Sequence, residues 1–90
     1  MNKLAKLFSV LSDPVRLQII MCLMESKGCV TDLQKKLGKK QPNISQHLRI
    51  LRDANLVSYQ RDGKKICYSI KNDKIKKIFE MANEICNEGA

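Results

Sequence analysis

Long apolar runs, acidic residues and histidine are all scarce in this chain of 90 residues. The longest apolar run, residues 19–24, falls far short of the roughly 20 residues a membrane-spanning helix needs. The opening Met1-Asn2-Lys3-Leu4-Ala5-Lys6 lacks the apolar core and small-residue cleavage site of a secretion signal. A cytoplasmic location with no membrane partner is therefore expected, and in that compartment the four cysteines are expected mostly as reduced thiols rather than structural disulfides. No paired carboxylates share a face, no nucleophile has a base in register with it, and no Gly-rich loop would cradle phosphate. Catalysis and a resident cofactor are accordingly not expected. No repeat, low-complexity tract or linker divides the sequence, so residues 1–90 read as one domain.

What is abundant is positive charge. Seventeen Lys and Arg stand against nine Asp and Glu, giving a net charge of +8 and a pI near 9.5. That balance favours a polyanionic partner, nucleic acid or an anionic membrane surface.

Apolar periodicity divides the chain into short elements. Leu4, Leu7, Phe8 and Leu11 mark a first amphipathic helix. Asp13 is a good N-cap and Pro14 a good first residue for a second helix over 15–26, with Leu17, Ile20, Met21, Leu23 and Met24 as its core residues and Gly28 as its stop. Thr31-Asp32-Leu33-Gln34 fits a capping box in which the Thr31 hydroxyl accepts the Gln34 N–H. Leu33 and Leu37 then give the third helix its inner stripe, and Gly38 its left-handed stop.

A fourth helix opens four residues later, with Pro42 suited to its first position. Ile44, Leu48 and Leu51 recur at i, i+4 and i+7 and make one buried stripe. On the far side lie Asn43, Gln46 and Arg49, flanked by Ser45 and His47. Asn43 or Gln46 could take adenine bidentately and Arg49 a guanine or a phosphate. His47 borders the inner stripe, where packing or backbone bonding is as reasonable as base contact. Helix, glycine turn, helix is the helix-turn-helix arrangement. Asn55 should end this helix in the left-handed region. Residues 56–61 and 64–70 then read as two strands around Asp62-Gly63, a two-residue hairpin signal. Arg61, Lys64 and Lys65 cluster at the tip, as suits a wing touching phosphates.

The last helix, from about Asp73, carries Ile75, Ile78, Phe79, Ala82, Ile85 and Cys86 on one stripe. A small core cannot bury both this stripe and that of the first helix, so a symmetric dimer pairing the terminal helices is expected. The fold class is mainly α with a β-hairpin wing, in the order α-α-α-α-β-β-α.

Residues 11–20, LSDPVRLQII, resemble the opening motif of the ArsR/SmtB repressors, small dimeric winged helix-turn-helix proteins. Residues 41–57, QPNISQHLRILRDANLV, resemble that family's recognition helix and first strand, and residues 63–70 its wing. The resemblance spans nearly the whole chain. It implies a dimer that binds a palindromic double-stranded operator and leaves it on binding an inducer. DNA contacts carried over on it are Gln41, Asn43, Ser45, Gln46, His47 and Arg49. Lys39 and Lys40 depart from the family pattern, which has an apolar residue and a Ser there. Lys40 offsets the lost hydroxyl cap if it contacts phosphate.

The family's metal-sensing patterns are not met. Where one pattern has Cys-Val-Cys-Asp-Leu, residues 29–33 read CVTDL, and the single histidine lies outside the last helix. Zn²⁺ wants about four ligands from Cys, His or carboxylate, so no metal site is expected. The redox and persulfide-sensing branch is similar in having one Cys in the second helix and one in the last, which points to Cys22 and Cys86, each about one residue out of register. Buried, unreactive thiols at both positions remain the alternative, as do an arsenic(III) or other thiophilic-metalloid site drawing on Cys22, Cys86 or Cys29, and a DNA-binding protein with no inducer site. Cys67, on the wing strand, is read as incidental.

Overall fold

The computed structural model describes residues 2–89. Helices α1 (Asn2–Leu11) and α2 (Pro14–Glu25) are followed by a short strand β1 (Gly28–Cys29). Then come α3 (Val30–Leu37), α4 (Gln41–Asp53), strands β2 (Val57–Asp62) and β3 (Lys65–Ile70), and α5 (Lys74–Glu88). The three strands form one antiparallel sheet in the order β1-β3-β2.

The core forms where the inner faces of these elements meet. Ile19 and Ile20 from α2, Leu33 from α3, Ile44, Leu48 and Leu51 from α4, and Val57 from β2 are essentially removed from water. Val10, Leu11, Leu23, Leu56, Tyr68 and Ile75 complete it. Burying a Leu or Ile side chain contributes about 1.5–3 kcal/mol each, so the α4 stripe is fixed hard against α2 and α3. Met21, expected in the core, instead lies on the exposed side of α2, and Ile19 takes its place. Helix α2 is apolar round most of its circumference, so periodicity alone could not choose its inner face.

Local chemistry sets the helix ends. Asp13 Oδ1 accepts the N–H groups of Val15 at 2.8 Å and Arg16 at 3.1 Å, the capping expected of it. Helix α2 stops at Glu25, before Gly28, because Ser26 is already extended and Gly28 has joined β1. The capping residue of α3 is Cys29 rather than Thr31, whose side chain is exposed one residue inside the helix. Asp32 accepts the Cys29 N–H at 3.3 Å. Pairing of Cys29 with β3 fixes its extended backbone, and that moves the start of the helix forward. Gly38 (φ 63°) and Asn55 (φ 62°) are left-handed, as expected. After Asn55 the Leu56 N–H returns to Leu51 O at 3.1 Å and closes the end of α4. In α4 itself Gln41 is the first helical residue and Pro42 the second, still within the turn whose N–H groups have no helical partner.

Three expectations about the sheet change. The sheet has a third strand, too short to show any alternation. The hairpin turn is Gly63-Lys64, because Asp62 pairs with Lys65, and only Gly63 takes a positive φ. That is the turn with glycine at its first central position. Finally, Cys67 is not incidental and not every cysteine is a free thiol. Cys67 lies opposite Cys29 across β1 and β3, and the two are disulfide-bonded. Cys22 and Cys86 are free.

Candidate nucleic-acid interface

Helix α4 turns Ile44, Leu48 and Leu51 inward, and this leaves Gln41, Asn43, Gln46 and Arg49 exposed on the other side, with Lys40 just before them. Ser45 is half-buried, and its hydroxyl accepts from the Gln41 amide nitrogen at 2.7 Å. That bond holds the Gln41 side chain along the first turn of the helix. Amide and guanidinium groups on a rigid, core-anchored helix are the equipment for reading base edges in a major groove.

His47 is set apart from that exposed face. Its side chain is only 15% exposed, and Arg16 Nη1 donates to His47 Nδ1 at 3.3 Å. Because Arg16 has only donors, Nδ1 is the acceptor and the neutral ring carries its proton on Nε2. Arg16 Nε also donates to Val10 O at 2.6 Å, and Asp13 Oδ1 lies 3.9 Å from His47 Nδ1. One guanidinium thus ties the end of α1 to the middle of α4 beside the cap of α2. The Arg16 backbone N–H, ahead of that of Val15, holds the Asp13 carboxyl below its ordinary value, with the Arg16 charge adding to the effect and burial opposing it.

The wing meets α4 at both ends. Lys64 and Lys65 share a groove with Gln41 and with Thr31 and Gln34 from the start of α3. Arg61 faces a different groove, shared with Lys27, Gln60 and Cys67. The tip cations therefore split between two sides of the wing instead of forming one cluster. At the base of the wing, Arg52 lies over the Tyr59 ring at 5.0 Å. Tyr59 in turn contacts its cross-strand partner Tyr68, with ring centroids 5.8 Å apart. Burial pushes the Tyr68 hydroxyl up, against the pull of Arg52. At an exposed site such as this a cation over an aromatic face contributes about 0.5–1 kcal/mol, and it links the end of α4 to the wing.

The sequence reading missed Thr31, Gln34 and Lys27, which border these grooves, and Arg16, which positions His47. By sequence Thr31 reads as a cap, and Arg16 reaches His47 across 31 residues, a contact that no spacing rule encodes. The two free thiols are not brought together. Half-buried Cys22 opens on a pocket with Ser26, Lys27 and Asp32, whereas exposed Cys86 lines an apolar groove with Phe8, Met21 and Phe79. Among the described residues no three His, Cys, Asp or Glu side chains gather to hold a metal ion, and no single helix is long and apolar enough to cross a membrane.

Known proteins share this arrangement. The profile of the family described as "Bacterial regulatory protein, arsR family" matches residues 13–59, which run from the cap of α2 into β2. An HTH-type transcriptional regulator of Methanocaldococcus jannaschii is 37% identical over 93% of the chain and 96% of its own length. The transcriptional repressor SmtB homolog of Synechocystis is 33% identical over 93% of the chain, which spans 64% of that longer protein. Among solved structures, the transcriptional repressor BigR from Xylella fastidiosa superposes with a TM-score of 0.85 at 33% identity, covering 93% of this chain and 86% of its own. With an α3–α4 helix-turn-helix, a β2–β3 wing and these relatives, the chain belongs to the arsR family of winged helix-turn-helix, DNA-binding transcriptional regulators.

Proposed function

We propose that the chain is a repressor acting as one DNA-binding unit, that it binds a palindromic double-stranded operator as a homodimer, and that a cysteine-directed signal releases it. The observation that carries the DNA reading is the division of α4 into a fully buried apolar stripe and an exposed face of Asn43, Gln46 and Arg49. In this reading Gln46, Asn43 and Arg49 meet base edges, while Gln41 and Ser45 fix the start of the helix. Lys40, Lys64, Lys65 and Arg61 neutralise phosphates. His47 positions the helix through Arg16 and does not read a base.

The dimer reading is supported by apolar side chains left in water. Ile85 is 69% exposed, Met81 65%, Phe8 54% and Leu4 53%, all on the terminal helices. Pairing α1 and α5 with their mates covers them and sets two copies of α4 into successive major grooves, about 34–36 Å apart.

The release signal is assigned to Cys22 and Cys86, with a reactive sulfur species as its chemical class. Cys86 sits on the face that the partner would cover, so a modification there would change the spacing of the two recognition helices. The deciding experiment is titration of operator and random DNA at several salt concentrations, with and without polysulfide, arsenite and zinc. A strong preference for operator that survives rising salt and falls with polysulfide is expected. Equal affinity for both DNAs would sink the repressor reading. An unchanged mass at Cys22 and Cys86 after polysulfide, with unchanged operator affinity, would sink the assignment of the signal.

A further inference from the structure

The two bonded cysteines lie in different functional parts of the molecule. Cys29 caps α3, the first helix of the helix-turn-helix, and gives its N–H to Asp32. Cys67 lies on β3, the middle strand of the sheet, directly opposite it with the Cα atoms 3.9 Å apart. The bond spans 38 positions of sequence and encloses α3, α4, β2 and the wing tip. Without it, β1 holds the wing to α3 through a pairing only two residues long. Each cysteine also borders an open groove. Cys29 shares one with Gln41, Lys64 and Lys65, and Cys67 shares the other with Lys27 and Arg61. Those grooves hold the residues placed above at the DNA, and their cations attract anions.

We propose that Cys29 and Cys67 are a dithiol–disulfide couple that locks the wing to the helix-turn-helix, with anionic low-molecular-weight disulfides as its oxidants. The thiolate of one cysteine attacks a sulfur of the small disulfide, whose S–S bond breaks and releases one small thiolate. The opposed cysteine then attacks the protein sulfur of the mixed disulfide and expels the second small thiolate. The two cysteines lose two electrons, the small disulfide becomes two thiols, and the two cysteine protons end on them. The oxidised form holds Lys64 and Lys65 beside Gln41 before DNA arrives, so less ordering is left for the binding step. Oxidation therefore tightens operator binding, the opposite of release through Cys22 and Cys86. This couple extends the DNA-binding reading and, for its effect on affinity, rests on it.

The test uses the full chain carrying Cys22→Ser and Cys86→Ser, reduced or treated with oxidised glutathione. Peptide mass mapping should show a Cys29–Cys67 bond in the treated sample. Hydrogen exchange of the β3 amides should slow on oxidation, and operator affinity should rise roughly 3–10-fold. Adding Cys67→Ser should leave only a mixed disulfide at Cys29 and remove both changes. Failure of the bond to form, or its formation with unchanged β3 exchange, would overturn the couple without reference to DNA. Bond formation with slowed exchange but equal or weaker operator affinity would overturn its role in binding. Slowed exchange together with no operator preference in either state would leave the couple standing and remove the repressor reading instead.

Discussion

Helices α4 and α5 are similar in length and both amphipathic, yet the chain treats their apolar faces differently. The α4 face is used up internally: Ile44, Leu48 and Leu51 are sealed among α2, α3 and the sheet. What α4 leaves outside is polar, and a polar face with few neighbours is free to meet DNA. Helix α5 buries only Ile75 fully, keeps Ile78 and Phe79 half-buried, and leaves Met81 and Ile85 in water. One helix is finished by its own fold, and the other awaits a surface. On the dimer reading proposed above, the contrast separates the part of the sequence that specifies the single chain from the part that specifies its assembly.

Breaking the second surface should have the largest effect on function. Ile85→Glu with Phe8→Glu should give a folded monomer, seen by sedimentation with unchanged helix content. Its operator affinity should fall about 10²–10⁴-fold, because half-sites linked by dimerisation reinforce each other by that order. Breaking the first surface should cost the fold. Leu48→Ala should lose about 2–5 kcal/mol, a large share of the 5–15 kcal/mol typical of a small domain, read as a lower denaturant midpoint. A smaller effect confined to the polar face is expected of Gln46→Ala. It should weaken operator binding by about 1–3 kcal/mol and relax preference at one base pair, with random DNA unaffected. Lys64→Ala should weaken both DNAs alike and reduce the slope of log affinity against log salt by about 1.

The smallest effect should come from the cap that anchors α2 beside α4. Asp13 has a lowered folded value, so its contribution is present above its ordinary value of 3.8 and is lost as pH falls through the folded value. Asp13→Asn should flatten that acid limb by lowering stability at neutral pH, so that the mutant and wild-type curves meet in acid, as urea unfolding across pH would show.

The helices were legible because their signals are local. The i, i+4, i+7 stripe of α4, the left-handed Gly38 and Asn55, and the Asp13 cap each depend on residues within a turn or two. Features set by long-range register were not legible. The two residues of β1 are too few to alternate, and the Cys29–Cys67 pairing depends on which strand lies beside which. Thr31 was the better capping residue by chemistry, but strand pairing fixed Cys29 first. The exposed polar face of α4 emerged as expected, whereas the Arg16–His47 contact joins two helices whose proximity only the folded core decides.

The one-residue shift of the hairpin turn sets the phase of the whole wing. With Gly63-Lys64 as the loop, Tyr59 faces Tyr68, and Gln60 is the β2 neighbour of Cys67. A slip of one position would send each of these side chains to the other face of the sheet. Gly63 therefore works as an indexing mark, and the wing can change length only in steps of two. Lengthening each strand by two residues would carry the lysines outward without turning them, whereas one residue per strand would turn them to the other face of the sheet.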